Sequence, residues 1–487
     1  MELRQRLLLS ALLLMPVLPA STQQAQEAVP IAAQPASPPQ TLPQLRALQA
    51  AGAAITVLAV DLDTGRTLAE LQPRDALTPA SLSKLFVAAA ALQTFAPDHT
   101  FRTQLLAAAS PNGEAIEGDL VLRGSGDATL DEQALWSLGA QLRELGVRRI
   151  GGRLLVERAP FGKLACDNDD RCDGQRQSNH AYDSMPSGIG VNYGNWCVTI
   201  RPTRAGQPAT LRSCGAIPLP IAVQGRVLTG PGTPRVDRFT EGGVDRLSVG
   251  GSIAMDSQEQ MQRSMSDPAL GTGLLLRSLL AQLGITVTGG VETRDESDAS
   301  LMELASIEGL SVDEAVDRMM RYSNNYIADV MTMNVALAQL GPGARTLAQA
   351  SQVLSKDVPG APLLNSGSGL TTDSRVSAYS LVELLAAQYR DTRHFPLFYG
   401  ALVVPHDAPF SYLRTGAEDW QDRVALKTGS LSEPLPVYGL AGYLRKRDRG
   451  LIAFAMLVNG TSKLPGLTRD RSLRAMREDL TALLRQY

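Results

Sequence analysis

Lysine is the scarcest charged residue in this 487-residue chain. Lys84, Lys163, Lys356, Lys427, Lys446 and Lys463 are all there are. Arginine supplies the rest of the 46 basic side chains, set against 49 acidic ones, and the formal net charge is -3. No long basic stripe is present, which excludes the electrostatic footprint of a nucleic-acid binder. Aromatics make up only 5% of the chain, so the core must rest on Leu, Val, Ala and Met. Long apolar runs are missing as well. The run from Leu7 to Leu18 falls short of the roughly 20 residues that span a bilayer, and no other stretch reaches that length. Arg4 and Arg6 precede this run, and Pro19-Ala20 before Ser21 offers a cleavage point. Together these predict a secretory signal over residues 1–20, with an uncleaved anchor as the alternative. No Cys follows the run, which argues against a lipoprotein.

Cysteine is limited to Cys166, Cys172, Cys197 and Cys214. An even count in an exported chain suggests disulfides, and four cysteines permit three pairings. Cys166–Cys172 and Cys197–Cys214 are favoured, because each closes a short local loop. A zinc site competes, but C-x-x-C spacing is absent and His180 is the only nearby histidine.

Residues 21–44 are rich in Gln, Ala and Pro and read as a flexible leader, with order beginning near Leu45. Ala54 to Leu62 and Arg66 to Leu71 read as paired strands around Asp63-Thr64-Gly65. Thr78 and Pro79 suit the N-cap and first position of a buried Ala- and Leu-rich helix. From Asp98 to Asp298 short strands and Gly-rich turns dominate, with helices at Asp131 to Leu145 and Leu270 to Leu283 and a strand at 285–291. The cysteine-bearing stretch reads as a separate all-β piece. Beyond residue 300, Ser311 and Glu314 form a capping box. Its helix runs into Ser323-Asn324-Asn325, which are poor helix interiors. Another helix follows Asp373. A hairpin (438–445 and 451–459) and a closing helix (469–486) end the chain.

Three short motifs stand out: Ser81-x-x-Lys84, Ser323-Asn324-Asn325 and Lys427-Thr428-Gly429. Each alone arises easily by chance; their order and context carry the weight. A serine hydroxyl is a poor nucleophile until a base takes its proton. Positions i and i+3 of a helix share a face, so Lys84 can reach Ser81. Among Leu85, Phe86 and Val87, desolvation favours the neutral amine that a base must be. At the start of the helix, backbone N–H groups favour a developing oxyanion. Lys427 supplies a cation whose natural ligand is a carboxylate, such as a peptide C-terminus. Thr428 and Ser430 add hydroxyl donors, and Gly429 allows close backbone approach. Ser323 can pass a proton between Lys84 and a leaving amine. Asn325 can hold Lys84 and a substrate amide through its two-sided side chain.

With these motifs, the gap of about 240 residues between Ser81 and Ser323, and the stretches GDLVLRGSGDATL, GSGLT and KTGSL, the chain resembles a known family. It is similar to the low-molecular-mass penicillin-binding proteins of the serine-type D-alanyl-D-alanine carboxypeptidase/endopeptidase family. The resemblance covers roughly residues 45 to 485. It implies an α/β fold: a transpeptidase (β-lactamase-like) domain with large nested insert domains rich in β. The catalytic part would comprise 45–97 and 299–487, a second domain 98–160 and 246–298, and a third 161–245. Ser81 would be acylated and Lys84 its base. Ser323, Asn325 and Lys427 would complete the site, and the N–H groups of Ser81 and Ser430 would form the oxyanion hole. Asp183 is the best match for an aspartate that meets the amino end of the peptide's diamino acid; a solvated loop carboxylate is the alternative. The implied partners are peptidoglycan stem peptides and β-lactam antibiotics, in the periplasm, with any membrane contact peripheral and with neither metal nor cofactor. Two departures exist: Ser366 stands where family members often carry Asp before Gly-Ser-Gly-Leu, and Ser430 where they often carry Thr.

A β-lactamase would share the acylation parts but needs an efficient deacylating base, and no acid-bearing loop matches. An α/β-hydrolase needs G-x-S-x-G, which is absent, and His99, His180, His394 and His406 lack a triad context. A non-catalytic β-lactam sensor need not keep both Lys84 and Lys427.

Overall fold

The structure, a computed structural model, describes residues 40–167 and 169–487. The expected signal segment and the leader up to residue 39 lie outside them. Order begins earlier than residue 45. Leu42 and Leu45 are fully buried, and the helix Pro43–Ala50 is held at its start by Asp479, whose carboxylate accepts from the Leu45 N–H at 3.0 Å. Leucines at that spacing bury one face, which the Pro- and Gln-rich composition had masked.

The two ends of the chain build one antiparallel sheet. Its order is Val424–Leu431, Val437–Arg445, Leu451–Asn459, Ala54–Asp61 and Thr67–Leu71. Period-2 alternation gives it two apolar faces. Ala441, Tyr443, Ala453 and Ala455 face a core shared with the helices Lys84–Thr94, Val312–Tyr322 and Asn325–Leu340. Leu440, Leu444, Ile452 and Phe454 face a second core, covered by Pro43–Ala50 and the closing helix Arg469–Leu484. The expected hairpin, capping box and closing helix all form.

Between these ends lies a second, mixed sheet in the order Val291–Arg294, Leu154–Glu157, Leu120–Gly124, Thr100–Ala107 and Met302–Ser311. The helices Glu132–Glu144 and Pro268–Gln282 cover it, each capped by an aspartate, Asp131 and Asp267. The strand Met302–Ser311 belongs here, paired with Thr100–Ala107. The sheet of the inserted region thus extends past the expected boundary at residue 298, as far as Ser311. The expected strand 285–291 is split into Thr286–Val287 and Val291–Arg294.

The cysteine-bearing stretch is rich in strand but not all-β, since the helix Asp169–Arg176 lies within it, and a strand runs on across its expected end at residue 245. Val244–Ile253 is one continuous strand, and Glu259–Ser264 pairs with Asn195–Arg201. Nor is the piece separate in its packing. Trp196, Val198, Ile200, Val236 and Leu247 share one apolar core with Leu105, Leu122, Leu154 and Leu276 of the covering sheet and helix. A strand-rich stretch with few large apolar residues buries them best against its neighbour. Cys166 pairs with Cys172 and Cys197 with Cys214, so none of the four thiolates is left for zinc.

The Cys197–Cys214 bond closes a separation of 17 residues. Replacing both cysteines by serine is expected to lower the unfolding free energy of this region by about 3 kcal/mol. Urea denaturation followed by intrinsic fluorescence, with Trp136 and Trp420 replaced by Phe so that Trp196 reports alone, measures it, and a shift below about 1 kcal/mol would show that the cross-link constrains little.

Candidate active site

Ser81 sits in a 3-10 turn, Ala80–Ser83, and the α-helix proper starts only at Lys84. Thr78 does not cap it; its hydroxyl donates instead to the Thr372 carbonyl at 3.0 Å. Ala80 adopts a left-handed φ of 47°, and the Gly369 backbone packs directly against the Ala80 carbonyl. A Cβ at Gly369 would stand 1.9 Å from that oxygen.

Lys84 has no exposed surface. Its Nζ donates to Ser81 Oγ at 2.9 Å, to Asn325 Oδ1 at 2.8 Å and to the Ser368 carbonyl at 2.6 Å. Carbonyl oxygens only accept. When Lys84 is neutral its two N–H bonds are therefore best directed at Asn325 and Ser368, which turns the lone pair toward the Ser81 hydroxyl. Ser81 Oγ also lies 3.5 Å from the Ser368 carbonyl, a length at which little hydrogen bonding remains. Lys84 is the better acceptor for its proton.

The second motif is a sharp break between helices. Ser323 ends Val312–Tyr322 in a left-handed conformation, φ 54°. Asn324 caps the next helix by accepting from the Ile327 N–H at 2.9 Å. The reversal sends neighbouring side chains to different lysines. Asn325 meets Lys84, while Ser323 Oγ accepts from Lys427 Nζ at 2.8 Å.

Lys427 is carried by the strand Val424–Leu431 and is 1% exposed. It also donates to the Thr428 carbonyl at 2.7 Å. Burial disfavours the ammonium and pushes its pKa down to about 7. The close approach that Gly429 permits is to the chain itself: a Cβ there would stand 2.6 Å from the Pro79 carbonyl. The strand is thereby seated against the Ser81 turn, and Thr428 and Ser430 flank it.

Two groups in this network were not singled out from the sequence. The Ser368 carbonyl is one. The other is Asp329, fully buried, whose carboxylate accepts from the Ser368 N–H at 2.8 Å and so holds the loop that meets Lys84. A lone carboxylate inside the apolar run NYIADVMTMNVALAQL was the available signal. Ser83 adds a second tie, donating to the Gly367 carbonyl at 2.9 Å.

Ser81, Ser323, Asn325 and Ser430 line a cleft of about 1460 Å³. Asp183 lines the same cleft, where its carboxylate accepts from Ser178 Oγ at 2.6 Å. The sequence-predicted residues thus converge. Lys84 and Lys427 lie beneath the cleft, Thr428 and Gly429 continue its strand, and Asp183 contributes from the inserted region.

The chain is similar to several known proteins. The family model described as the D-Ala-D-Ala carboxypeptidase 3 (S13) family matches residues 40–480. A D-alanyl-D-alanine carboxypeptidase of Actinomadura is 29% identical over 437 residues, covering 84% of this chain and 78% of that protein. The crystal structure of penicillin-binding protein 4 from Haemophilus influenzae superposes with a TM-score of 0.73 at 21% identity, covering 90% of this chain and 99% of the other. The same protein complexed with a β-lactam gives 0.69 at 20% identity, covering 91% and 99%.

Gly369→Ala forces a side chain into the Ala80 carbonyl at a φ of +72°. It is expected to lower the stability of the terminal-sheet region by at least about 2 kcal/mol, read as a lowered urea midpoint. A variant as stable as the parent would mean that the loop and turn are not rigidly packed.

Proposed function

The chain belongs to the D-Ala-D-Ala carboxypeptidase 3 (S13) family, and on that footing we propose that it hydrolyses D-alanyl peptide bonds of peptidoglycan through an acyl-enzyme at Ser81. It is a serine-type D-Ala-D-Ala peptidase and a low-molecular-mass penicillin-binding protein. The single observation that carries the assignment of Ser81 is the buried Lys84 amine, 2.9 Å from its hydroxyl and bonded at the same time to two carbonyl acceptors.

Ser81 Oγ attacks the carbonyl carbon of the penultimate D-alanine and its proton passes to Lys84. The backbone N–H groups of Ser81 and Ser430 face the carbonyl oxygen as it gains charge. When the C–N bond breaks, the leaving amine takes a proton through the Ser323 hydroxyl, which Lys427 orients at 2.8 Å. Water then cleaves the ester in reverse order and regenerates the Ser81 hydroxyl. Asn325 keeps Lys84 turned to Ser81 and offers its amide N–H to the peptide. Lys427, Thr428 and Ser430 hold the carboxylate end. Asp183 takes the amino end of the third-position residue.

β-Lactams present a strained amide to the same serine and leave a stable ester. A β-lactamase reading is the runner-up; slow release of bound penicillin separates the two. The nested inserts, with the strand-rich stretch ending near Ser264 and the outer insert near Ser311, form one wall of the cleft and select the peptide. Export to the periplasm fits the cell-wall substrate and the apolar segment at the start of the chain.

Ser81→Ala is expected to abolish the covalent penicillin adduct, seen by intact-protein mass spectrometry, while leaving the urea midpoint unchanged. An adduct on the alanine variant would remove Ser81 as nucleophile. Muropeptide digestion followed by mass spectrometry then divides the activities: loss of one alanine reports trimming, and dimers becoming monomers reports cross-link cutting.

The Lys427 ammonium is present below about pH 7 and lost above it. In the free enzyme, kcat/KM on carboxylate-bearing peptides should decline as pH rises through that value. A bound carboxylate favours the ammonium, so the matching limb of kcat should lie at higher pH. A flat kcat/KM from pH 6 to 9 would exclude Lys427 as a charged clamp.

A further inference from the structure

Cations that line the cleft differ in how they are paired. Arg176 is ion-paired with Asp173, and Arg246 with Glu241 at 3.6 Å. Arg469 also lines the cleft, on the side of Ser430, Leu431 and Ser432, and among the described residues no carboxylate pairs with it. Its guanidinium is exposed and lies over the Tyr412 ring, 5.2 Å from the centroid. The Tyr412 hydroxyl in turn contacts the Thr428 side chain. A stacked guanidinium is held in position without its charge being neutralised. Glu433 lines the same rim, and no ion pair joins it to Arg469.

Lys427 is unlike Arg469 in two ways. It is buried at 1% exposure, and its donors are engaged by Ser323 and the Thr428 carbonyl. Burial also penalises its ammonium, whereas a guanidinium stays charged throughout the working range. A free peptide carboxylate needs a cation it can reach from solvent, with planar donors matched to its two oxygens.

We propose that Arg469 is a specificity-determining residue that holds the terminal carboxylate of the peptide, beside the hydroxyls of Thr428 and Ser430, and so sets the preference for substrates ending in a free acid. This rests on the DD-peptidase reading. Lys427 then holds Ser323 and meets the acid end from beneath the cleft, while Arg469 draws that end in from the rim.

The test uses the protein with its inserts intact. Diacetyl-L-Lys-D-Ala-D-Ala is compared with the same peptide carrying a C-terminal amide, and benzylpenicillin with its methyl ester. Arg469→Ala should raise KM for the acid about ten-fold, the worth of one charge-assisted contact. It should slow acylation by benzylpenicillin similarly and leave amide and ester within about two-fold. Arg469→Lys should recover part of the loss, and the parent's KM for the acid should rise with salt. Equal losses on acid and amide, or no loss on the acid, would overturn the proposal while leaving the peptidase reading intact. A parent protein that cleaves neither peptide and forms no penicillin adduct would overturn both. If the alanine variant misfolds by its urea midpoint, Arg469→Gln takes its place with the same expected split.

Discussion

One buried amine organises the active region. Lys84 has no contact with solvent, and a lysine in that position is tolerated only if its hydrogen bonds are met. Asn325, Ser368 and Ser81 meet them, and they come from three segments of the chain. The helix break at Ser323-Asn324-Asn325, the loop at Ser368 pinned by Asp329, and the 3-10 turn at Ser81 are all arranged around it. Loss of the helix break or of the pinned loop would take a carbonyl acceptor from an amine held inside an apolar helix.

The second lysine works under the opposite tension. Burial weakens the charge on Lys427, yet a carboxylate ligand would strengthen it. Such a group would respond to substrate: its proton would be held more firmly with an acid end beside it. Ser323 is the link, because it accepts from Lys427 and stands two residues before Asn325 in sequence. The two lysines are thus linked through three consecutive residues. Arg469, exposed and stacked on Tyr412, completes a graded set of cations from the floor of the site to its rim.

Nesting the inserts between Ser81 and Ser323 has a structural consequence. Two strands at the beginning of the chain and three at its end must find each other across more than half its length. Ala54–Asp61 pairs with Leu451–Asn459 to close the sheet. The inserts bring a wall and Asp183 to a cleft that the terminal sheet alone would leave open. Because the strand-rich piece shares its core with the covering sheet, that wall cannot shift independently without exposing Trp196 and its neighbours.

Read alone, the sequence was enough to point to a chemistry and to the side chains proposed for it. Motif spacing, lysine scarcity and the apolar setting of Lys84 singled out Ser81, Lys84, Ser323, Asn325 and Lys427, which the structure brings together, and local loop length selected both disulfides. Regular elements with strong periodicity or caps, such as Val312–Tyr322 and Arg469–Leu484, were legible because the information they need lies within a few residues. Tertiary structure decided the rest. It placed the insert boundaries inside strands whose partners are distant. It ordered Leu42 and Leu45 against Asp479. It packed Gly369 against the 3-10 turn of Ser81, brought Ser368 and Asp329 to Lys84, and set Arg469 on the cleft. These outcomes depend on which backbone lies against which, and separation along the chain does not encode that in any local pattern.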